Sequence, residues 1–238
     1  MKTVVHKSNT RGFANHGWLK SHHTFSFASY QNPDRMNFGA LRVLNDDVVQ
    51  PKMGFGTHPH QNMEIISIPL KGALSHKDSM GNKRAIEVNE VQVMSAGTGL
   101  THSEFNDSKT EEVNFLQLWI IPEKQSVKPN YEQRKFSSEN KKNQLLTVVA
   151  PKDRLEGEAL PISQQAYIYR SNIDNGKSID LKVKSGQNGF YVFVVDGEVE
   201  VADTILNKRD AIGISESERI QIKAISNSEL IIVEVPMN

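Results

Sequence analysis

The sequence predicts an all-β protein, built as a sandwich or barrel. Its apolar residues recur with a period of two or in short continuous runs, and Gly, Asn, Asp and Pro separate the runs. No long helical stripe competes with them, which argues against a parallel α/β sheet. The candidate strands are residues 40–44, 64–70, 91–94, 113–121, 145–150, 190–195, 198–202 and 229–235.

Two stretches, residues 65–78 and 191–203, share one pattern of apolar strand, Lys-Gly or Asp-Gly, and second strand. The glycine can adopt the positive φ of a tight turn, so each stretch is predicted to be a hairpin. Each is followed by an acidic residue and an apolar strand ending in serine, within 87–97 and 206–216. This favours a duplicated β domain with the polar stretch 132–144 as linker, although unrelated hairpins would give the same pattern.

Composition excludes several classes of site. The 238 residues include 28 Lys and Arg against 28 Asp and Glu, so no basic field attracts nucleic acid. Cysteine is absent, which leaves nitrogen and oxygen atoms as the metal ligands. The first residues lack the apolar core of a signal peptide, and no apolar run approaches the roughly 20 residues of a membrane span. We expect a soluble, cytoplasmic protein without direct contact to nucleic acid or membrane.

GFGTHPHQNMEI, residues 54–65, places two histidines either side of a proline. In a strand, residues two apart leave the same face, so His58 and His60 can converge on one ion. Pro59 fixes φ and cannot donate to a sheet ladder, which suits an edge strand. In a chain with 8 histidines such a pair can also arise by accident. The stretch alone leaves both interpretations open.

SAGTGLTHSEFN, residues 95–106, repeats the spacing with His102 and Glu104. Gly97 and Gly99 allow a tight bend just before the pair, as a strand at a barrel mouth requires. A phosphate loop is not favoured, because neither a helical pattern nor Lys-Ser or Lys-Thr follows. Three histidines and one carboxylate can therefore share one site.

The other histidines are expected to make surface or core hydrogen bonds. His22 and His23 are adjacent and would face opposite sides of a strand. Those without a partner at ligand spacing are His6, His16 and His76. Because His102 is the last histidine, a duplicated second half would keep the scaffold without the site, with SESE (215–218) in place of the Gly-x-Gly and His-x-Glu residues.

Glu64 shares the parity of positions 58 and 60, and so could share their face. It could be an additional ligand, a carboxylate that orients an imidazole, or an unrelated surface group, and the orienting role is favoured. A hydrolase is not supported, because no Gly-x-Ser-x-Gly motif occurs.

THPHQNMEI and QVMSAGTGLTHSEFN together resemble the pirin family of bicupins. The residues at the spacing of the two cupin motifs are His58, His60 and Glu64, then Gly99, His102 and Asn106. The likeness is strongest before residue 136 and includes NHGWLKSHHTFSFASY, ALRVLNDD, LWIIPE and PNYEQRKF. It implies two stacked cupin-type antiparallel β-barrels with little helix. Residues 1–135 would form the N-terminal cupin domain carrying the metal, and residues 136–238 the C-terminal cupin domain without it.

The resemblance also implies a ligand set and an activity. The ligands would be His58, His60, His102 and Glu104, holding one divalent transition metal ion, Fe(II) foremost, with Ni, Co, Cu, Mn or Zn as alternatives. Val93 and Thr98 depart from the Trp and Arg of many members, and this form resembles the bacterial branch with flavonol dioxygenase activity. The implied enzyme is a quercetin 2,3-dioxygenase. Glu104 would take the proton of the flavonol 3-hydroxyl, and dioxygen would open the ring with release of carbon monoxide.

Two other functions stay open at this point. As in the animal branch of the family, the chain could be an iron-dependent regulator that binds a protein partner without turnover, which a neutral net charge permits. A sugar-binding or isomerase-like cupin is less favoured, because three imidazoles and a carboxylate leave positions for substrate and dioxygen. Turnover of a flavonol by metal-loaded protein would separate the enzyme from the regulator.

Overall fold

The computed structural model describes residues 1–237 and is almost entirely β. Its helical segments in that range are two 3-10 turns, Ser8–Thr10 and Glu139–Lys141. None of the helices in the described part of the chain is long and apolar enough to cross a membrane. The strands of the first half are β1 (Lys2–His6), β2 (Gly12–Asn15), β3 (Leu19–His23), β4 (Leu41–Val49), β5 (Gly54–His60), β6 (Glu64–Lys71), β7 (Ala73–Asp78), β8 (Lys83–Glu87), β9 (Glu90–Ser95), β10 (Leu100–Asn106), β11 (Val113–Ile120) and β12 (Asn130–Lys135).

The second half is built in the same way, and every strand predicted from the sequence coincides with an observed one. Its strands are β13 (Leu146–Pro151), β14 (Leu160–Ile162), β15 (Tyr167–Ile173), β16 (Ser178–Lys182), β17 (Asn188–Asp196), β18 (Glu198–Val201), β19 (Thr204–Asn207), β20 (Ala211–Ser215), β21 (Arg219–Ala224) and β22 (Ser228–Pro236). The predicted all-β class is therefore confirmed.

Each half consists of a seven-stranded and a four-stranded sheet. In the first half the strand orders are β12-β9-β6-β11-β4-β3-β2 and β5-β10-β7-β8. In the second half they are β1-β20-β17-β22-β15-β13-β14 and β16-β21-β18-β19. The arrangement is the same except at one edge, where β14 pairs with β13 in parallel and β2 with β3 antiparallel. Residues 216–218 connect β20 to β21 as residues 96–99 connect β9 to β10. The topology therefore shows the duplication that the sequence pattern favours.

The first strand of the chain, β1, completes the large sheet of the second half. β1 pairs with β20, with Lys2 opposite Ser215, and takes the sheet edge that β12 takes beside β9. The N-terminal strand thus lies in the sheet of the second half. The division into domains 1–135 and 136–238 stays a prediction.

The largest apolar cluster joins the two seven-stranded sheets. It contains Ile66 and Leu116 from the first half and Phe193 and Ile231 from the second, all fully buried. The other face of the first half's large sheet is covered within that half, since Ile65 and Met94 share a separate cluster with Leu100 of the four-stranded sheet. Central strands are therefore buried on both faces, which explains why β6 and β17 are continuous apolar runs in the sequence.

The two predicted hairpins are wrong as strand pairings. Gly72 and Gly197 do adopt positive φ, at 75° and 89°. However, β6 and β7 lie in different sheets, and so do β17 and β18. The glycines instead form corners at which the chain passes from the large sheet to the small one, as occurs where strands switch sheets in a sandwich.

The predicted linker, residues 132–144, is ordered secondary structure at its start. Its first residues belong to β12, which pairs with β9. Phe136 is 3% exposed and belongs to the cluster between the halves. Lys141 is buried, and its Nζ lies 2.9 Å from Glu229 Oε1. The polar composition indicated a free connection, but these contacts attach the segment to both halves.

We expect Ile231→Ala to lower the free energy of unfolding by about 2 to 5 kcal/mol, because it opens a cavity in the cluster shared by the halves. Ile205→Ala is the matched control, since Ile205 is 51% exposed, and it should change stability by less than about 0.5 kcal/mol. Urea unfolding of both variants measures the difference. Equal effects would contradict the assignment of this cluster as the main core.

Candidate metal centre

Three histidines converge on the inner face of the first four-stranded sheet. His58 on β5 lies directly opposite His102 on β10, and His60 leaves β5 two residues later, on the same face. Their ring nitrogens lie within 4.8 Å of one another. The ring centroids of His58 and His102 are 4.4 Å apart. The structure thus brings together the three histidines that the sequence nominates.

The three imidazoles can each offer a ring nitrogen to an ion. Nδ1 of His58 donates to the carbonyl oxygen of Gly56 at 2.8 Å, which leaves Nε2 as the ligand atom. Burial and the neighbouring His58 lower the pKa of His60 to about 4. Burial, with a smaller contribution from the other histidines, lowers the pKa of His102 to about 2. Neutral imidazole is the form that binds a metal.

His102 provides the test of whether these residues fit a metal ion. It is 1% exposed, and neither of its ring nitrogens has a hydrogen-bond partner among residues 1–237. A buried polar atom without a partner is unfavourable, because it has lost water and gained nothing. A cation held by the three histidines would supply the missing partner. The donor set therefore fits a divalent ion that accepts nitrogen ligands.

Glu104 lies beside this cluster but is held from the opposite sheet. Its Oε1 accepts a hydrogen bond from Ser67 Oγ at 3.0 Å, and its Oε2 accepts one from Gln117 Nε2 at 2.7 Å. Burial raises the pKa of the carboxyl, while His76 and the two hydrogen bonds oppose the shift. Glu104 belongs to a second group of candidate ligand atoms with His76 and His102, again within 4.8 Å.

A row of polar side chains crosses the large sheet beneath Glu104. Its members occupy paired positions on β3, β4, β11, β6 and β9, and they are His23, Asn45, Gln117, Ser67 and Gln92. Apart from Gln117, which is partly exposed, they are buried. The sequence reasoning passed over this row. In β6, β9 and β11 its signal is a polar residue between two apolar neighbours, since buried polar groups are exceptional and need partners.

The prediction that His76 lacks a partner at ligand spacing is wrong. His76 and Asp78 are two residues apart on β7, and Nε2 lies 3.2 Å from Asp78 Oδ2. Gln92 Nε2 lies 3.1 Å from His76 Nδ1. We infer that Nδ1 accepts from the Gln92 amide and Nε2 donates to Asp78, so that both ring nitrogens are occupied. His76 is then held in a fixed position beside His102 and Glu104. The His-x-Asp spacing at 76–78 is the signal in the sequence that indicates a partner for His76.

Glu64 does not orient an imidazole. Its carboxylate accepts a hydrogen bond from Ser95 Oγ at 2.6 Å, and it belongs to neither group of candidate ligand atoms. Glu64 and Ile66 are two residues apart on β6, so both lie on the face that packs against the second half. The parity argument fails because residues 61–63 lie between strands of different sheets, so the faces before and after them are not continuous.

A cavity of about 480 Å³ opens above the histidines, between the two sheets of the first half. Its aromatic walls contain two edge-to-face pairs, Trp18 with Phe55 and Phe27 with Trp119. The polar residues that line it are His16, Ser21, His23, Ser29, Asn45, Asp47, His58, His60, Glu104 and Gln117. An aromatic cavity with a few convergent polar groups is typical of a binding site for a planar small molecule. Two histidines that the sequence analysis set aside, His16 and His23, therefore line it.

Comparisons with known proteins agree with this geometry. Residues 4–120 match the family model described as Pirin, and residues 147–235 match the one described as Quercetinase C-terminal cupin domain. Over 232 residues the chain is 41% identical to the quercetin 2,3-dioxygenase of Escherichia coli (strain K12), with 98% of each chain covered. The chain belongs to the pirin family. The family predicted from the sequence is thereby confirmed.

Two further relatives support the fold of this pirin. A pirin-like protein of Caulobacter vibrioides is 38% identical over 223 residues, 94% of this chain and 95% of the relative. The crystal structure of the bacterial pirin YhhW from Escherichia coli, in complex with nickel(II), matches with a TM-score of 0.93 at 39% identity, covering 100% of both chains. The bicupin fold is confirmed, as is the enzyme class at the level of the family. The relative's nickel(II) complex agrees with the expectation of one metal ion.

Asp47 is a buried acid on the wall of the cavity in this pirin. It is 3% exposed, and burial, with smaller contributions from Asp46 and Glu104, raises its pKa to about 7, although Ser21 donates to it. The folded protein therefore binds this proton more tightly than the unfolded chain does. The resulting penalty is absent below the unfolded pKa of 3.8, grows as pH rises, and is complete above about 7.

We expect Asp47→Asn to stabilise the protein at about pH 8, by up to about 4 kcal/mol, because the amide removes the cost of ionising a buried carboxyl. The gain should shrink as pH falls to about 5. Urea unfolding at both pH values measures it, with the exposed Asp180→Asn as control. A gain that is equal at both pH values would contradict the raised pKa.

Proposed function

We propose that the chain is a metal-dependent dioxygenase of the pirin type that opens the ring of a flavonol such as quercetin. The observation that carries the proposal is the buried His102, whose ring nitrogens have no partner among residues 1–237 and which lies beside His58 and His60, two histidines that line an aromatic cavity. The relative from Escherichia coli named quercetin 2,3-dioxygenase supports the choice of substrate. The cytoplasmic location expected from the sequence stays a prediction.

We propose His58, His60, His102 and Glu104 as the metal ligands. Imidazole and carboxylate ligands suit several divalent ions. We propose Fe(II) first, with Ni, Co, Cu, Mn and Zn as alternatives. When bound, such an ion would act as a Lewis acid toward the substrate oxygen and support reaction with dioxygen. Ser67 and Gln117 hold the Glu104 carboxylate, and Gly56 fixes the tautomer of His58.

The chain's own residues would orient the flavonol and move one proton. The aromatic pairs of the cavity walls offer flat apolar surfaces on which a planar ring system can pack. Glu104 would accept the proton of the 3-hydroxyl at a carboxylate oxygen. Its raised pKa brings this acid closer to the operating pH, which suits a general base. One dioxygen is then consumed, and the products are an opened depside and carbon monoxide.

We expect His102→Ala to lose most of the bound metal, because it removes the central ligand of the cluster. His22→Ala is the matched control, since His22 lies outside both groups of candidate ligand atoms. Each protein is loaded with Fe(II) or Ni(II), dialysed and analysed for metal content. Metal retained by His102→Ala at the wild-type level would disprove the ligand assignment.

We expect Glu104→Gln to lower kcat for quercetin by about 10²- to 10⁴-fold, because the amide cannot accept the hydroxyl proton. Glu64→Gln is the control, a second buried glutamate on β6 that faces the other half of the chain, and it should keep wild-type activity. Flavonol absorbance and carbon monoxide are followed in air with protein reconstituted with each metal.

Absence of turnover with every metal would reject the dioxygenase proposal. It would favour the alternative, a metal-dependent regulator that binds a protein partner.

A further inference from the structure

One wall of the cavity carries polar groups that the proposed chemistry does not use. Ser21 and His23 on β3 lie opposite Asp47 and Asn45 on β4, and all four line the cavity. They belong to the seven-stranded sheet, whereas His58 and the other candidate ligands belong to the four-stranded sheet. We call these four residues the β3–β4 wall. A ligand in the cavity would contact the histidines on one side and this wall on another.

The hydrogen bonds within the β3–β4 wall leave an acceptor of Asp47 and a donor of Asn45 unused. Ser21 Oγ donates to Asp47 Oδ1, and His23 Nδ1 lies 3.0 Å from Asn45 Oδ1, to which it can donate. Among residues 1–237, Asp47 Oδ2 and Asn45 Nδ2 have no hydrogen-bond partner. Since Asp47 and Asn45 are two residues apart on one strand, their side chains leave the same face.

A carboxylate that serves only the fold has a different environment in this chain. Glu234 is fully buried in the second half, and its two oxygens accept hydrogen bonds from Tyr169, Lys184, Ser185 and Asn188. Asp47 is nearly as buried and has one donor, Ser21. Buried polar groups are normally satisfied, so an acid with unused acceptor capacity beside a cavity indicates a ligand group that completes it.

The surroundings of the β3–β4 wall specify the chemistry of that group. Trp18, Leu19 and Phe27 line the same cavity, so the ligand group that pairs with the wall belongs to a flat, apolar ligand. A hydroxyl group donates and accepts, and therefore matches both the free oxygen of Asp47 and the free amide of Asn45. A phenolic ring with one or two hydroxyls combines the two requirements.

We propose that the β3–β4 wall binds hydroxyl groups on the ring of the substrate that does not react, so that Asp47 and Asn45 select polyhydroxylated aromatic compounds. The inference rests on the proposed function, because that function decides which end of the substrate reaches the histidines. A site built to pair a hydroxyl discriminates strongly against the analogue that lacks it, because its own polar groups are then left unpaired in an apolar cavity.

The test is an equilibrium titration without oxygen, using metal-loaded protein and two 3-hydroxyflavones. One carries a 3,4-dihydroxyphenyl substituent and the other an unsubstituted phenyl. Both tryptophans of the chain, Trp18 and Trp119, line the cavity, so their fluorescence reports binding. We expect the wild type to bind the dihydroxy compound about tenfold more tightly, the difference that one satisfied hydrogen bond can provide.

Substitutions of Asp47 measure the contribution of this residue to the binding preference. In Asp47→Ala the preference should fall to within about twofold, because the acceptor is gone, whereas Asp47→Asn should keep part of it through its amide. Asp180→Asn, exposed in the second half, should keep all of it. Circular dichroism confirms that each variant is folded. An Asp47→Ala preference equal to that of the wild type would overturn the proposal.

A second arm separates this inference from the proposed function. Metal-free protein is titrated with catechol and with 1,2-dimethoxybenzene, neither of which needs the metal or the reaction. Stronger binding of catechol that is lost in Asp47→Ala supports the wall even where no flavonol is turned over. Flavonol turnover without any Asp47-dependent preference in either arm would leave the dioxygenase standing and reject the wall.

Discussion

The buried carboxylate of Glu104 is the constraint on which the rest of the site depends. An ionised carboxylate between two sheets is unfavourable unless hydrogen bonds or a cation compensate for the lost water. Ser67 and Gln117 supply one hydrogen bond to each oxygen. Both donors sit in the polar row that crosses the large sheet, so the register of β6 against β11 is what places them. A slip of β6 by one residue against β11 would turn Ser67 toward the other half and leave one carboxylate oxygen without its donor.

The second half covers one face of the first half's large sheet, so that this face can be apolar while the other face is polar. The outer face of β6 and β11 packs against the second large sheet through Ile66 and Leu116, which leaves the inner face free to carry the polar row. The second half has no histidine, and its own interior is filled with apolar side chains such as Ile222 and Phe190. Its contribution is to cover the large sheet, and β1, the exchanged strand, ties the two halves together.

The sequence predicts those features that depend on local spacing. Strands and the pairs His58 with His60 and His102 with Glu104 follow from side chains alternating along one strand. Errors arise where the sheet assignment of a strand matters. The sequence pattern predicts a hairpin closed by Gly72 and places Glu64 on the face of the histidines, because nothing local shows that the chain changes sheet at residues 61–63 and at Gly72. The polar row exists only in the register between strands, which one sequence does not display.

Two adjacent acids on β4 show how one strand serves both the fold and the site. Asp46 faces the second half, where it accepts a hydrogen bond from Asn114 at 2.8 Å and lies 3.2 Å from Arg209 and 3.6 Å from Arg11. Asp47 faces the cavity and has one hydroxyl donor. Arg209 and Arg11 therefore compensate the charge of Asp46 and hold β4 in place, whereas Asp47, whose pKa burial raises to about 7, has no cation of the described residues bonded to it on the cavity face. That asymmetry makes the cavity selective for a group able to donate a hydrogen bond.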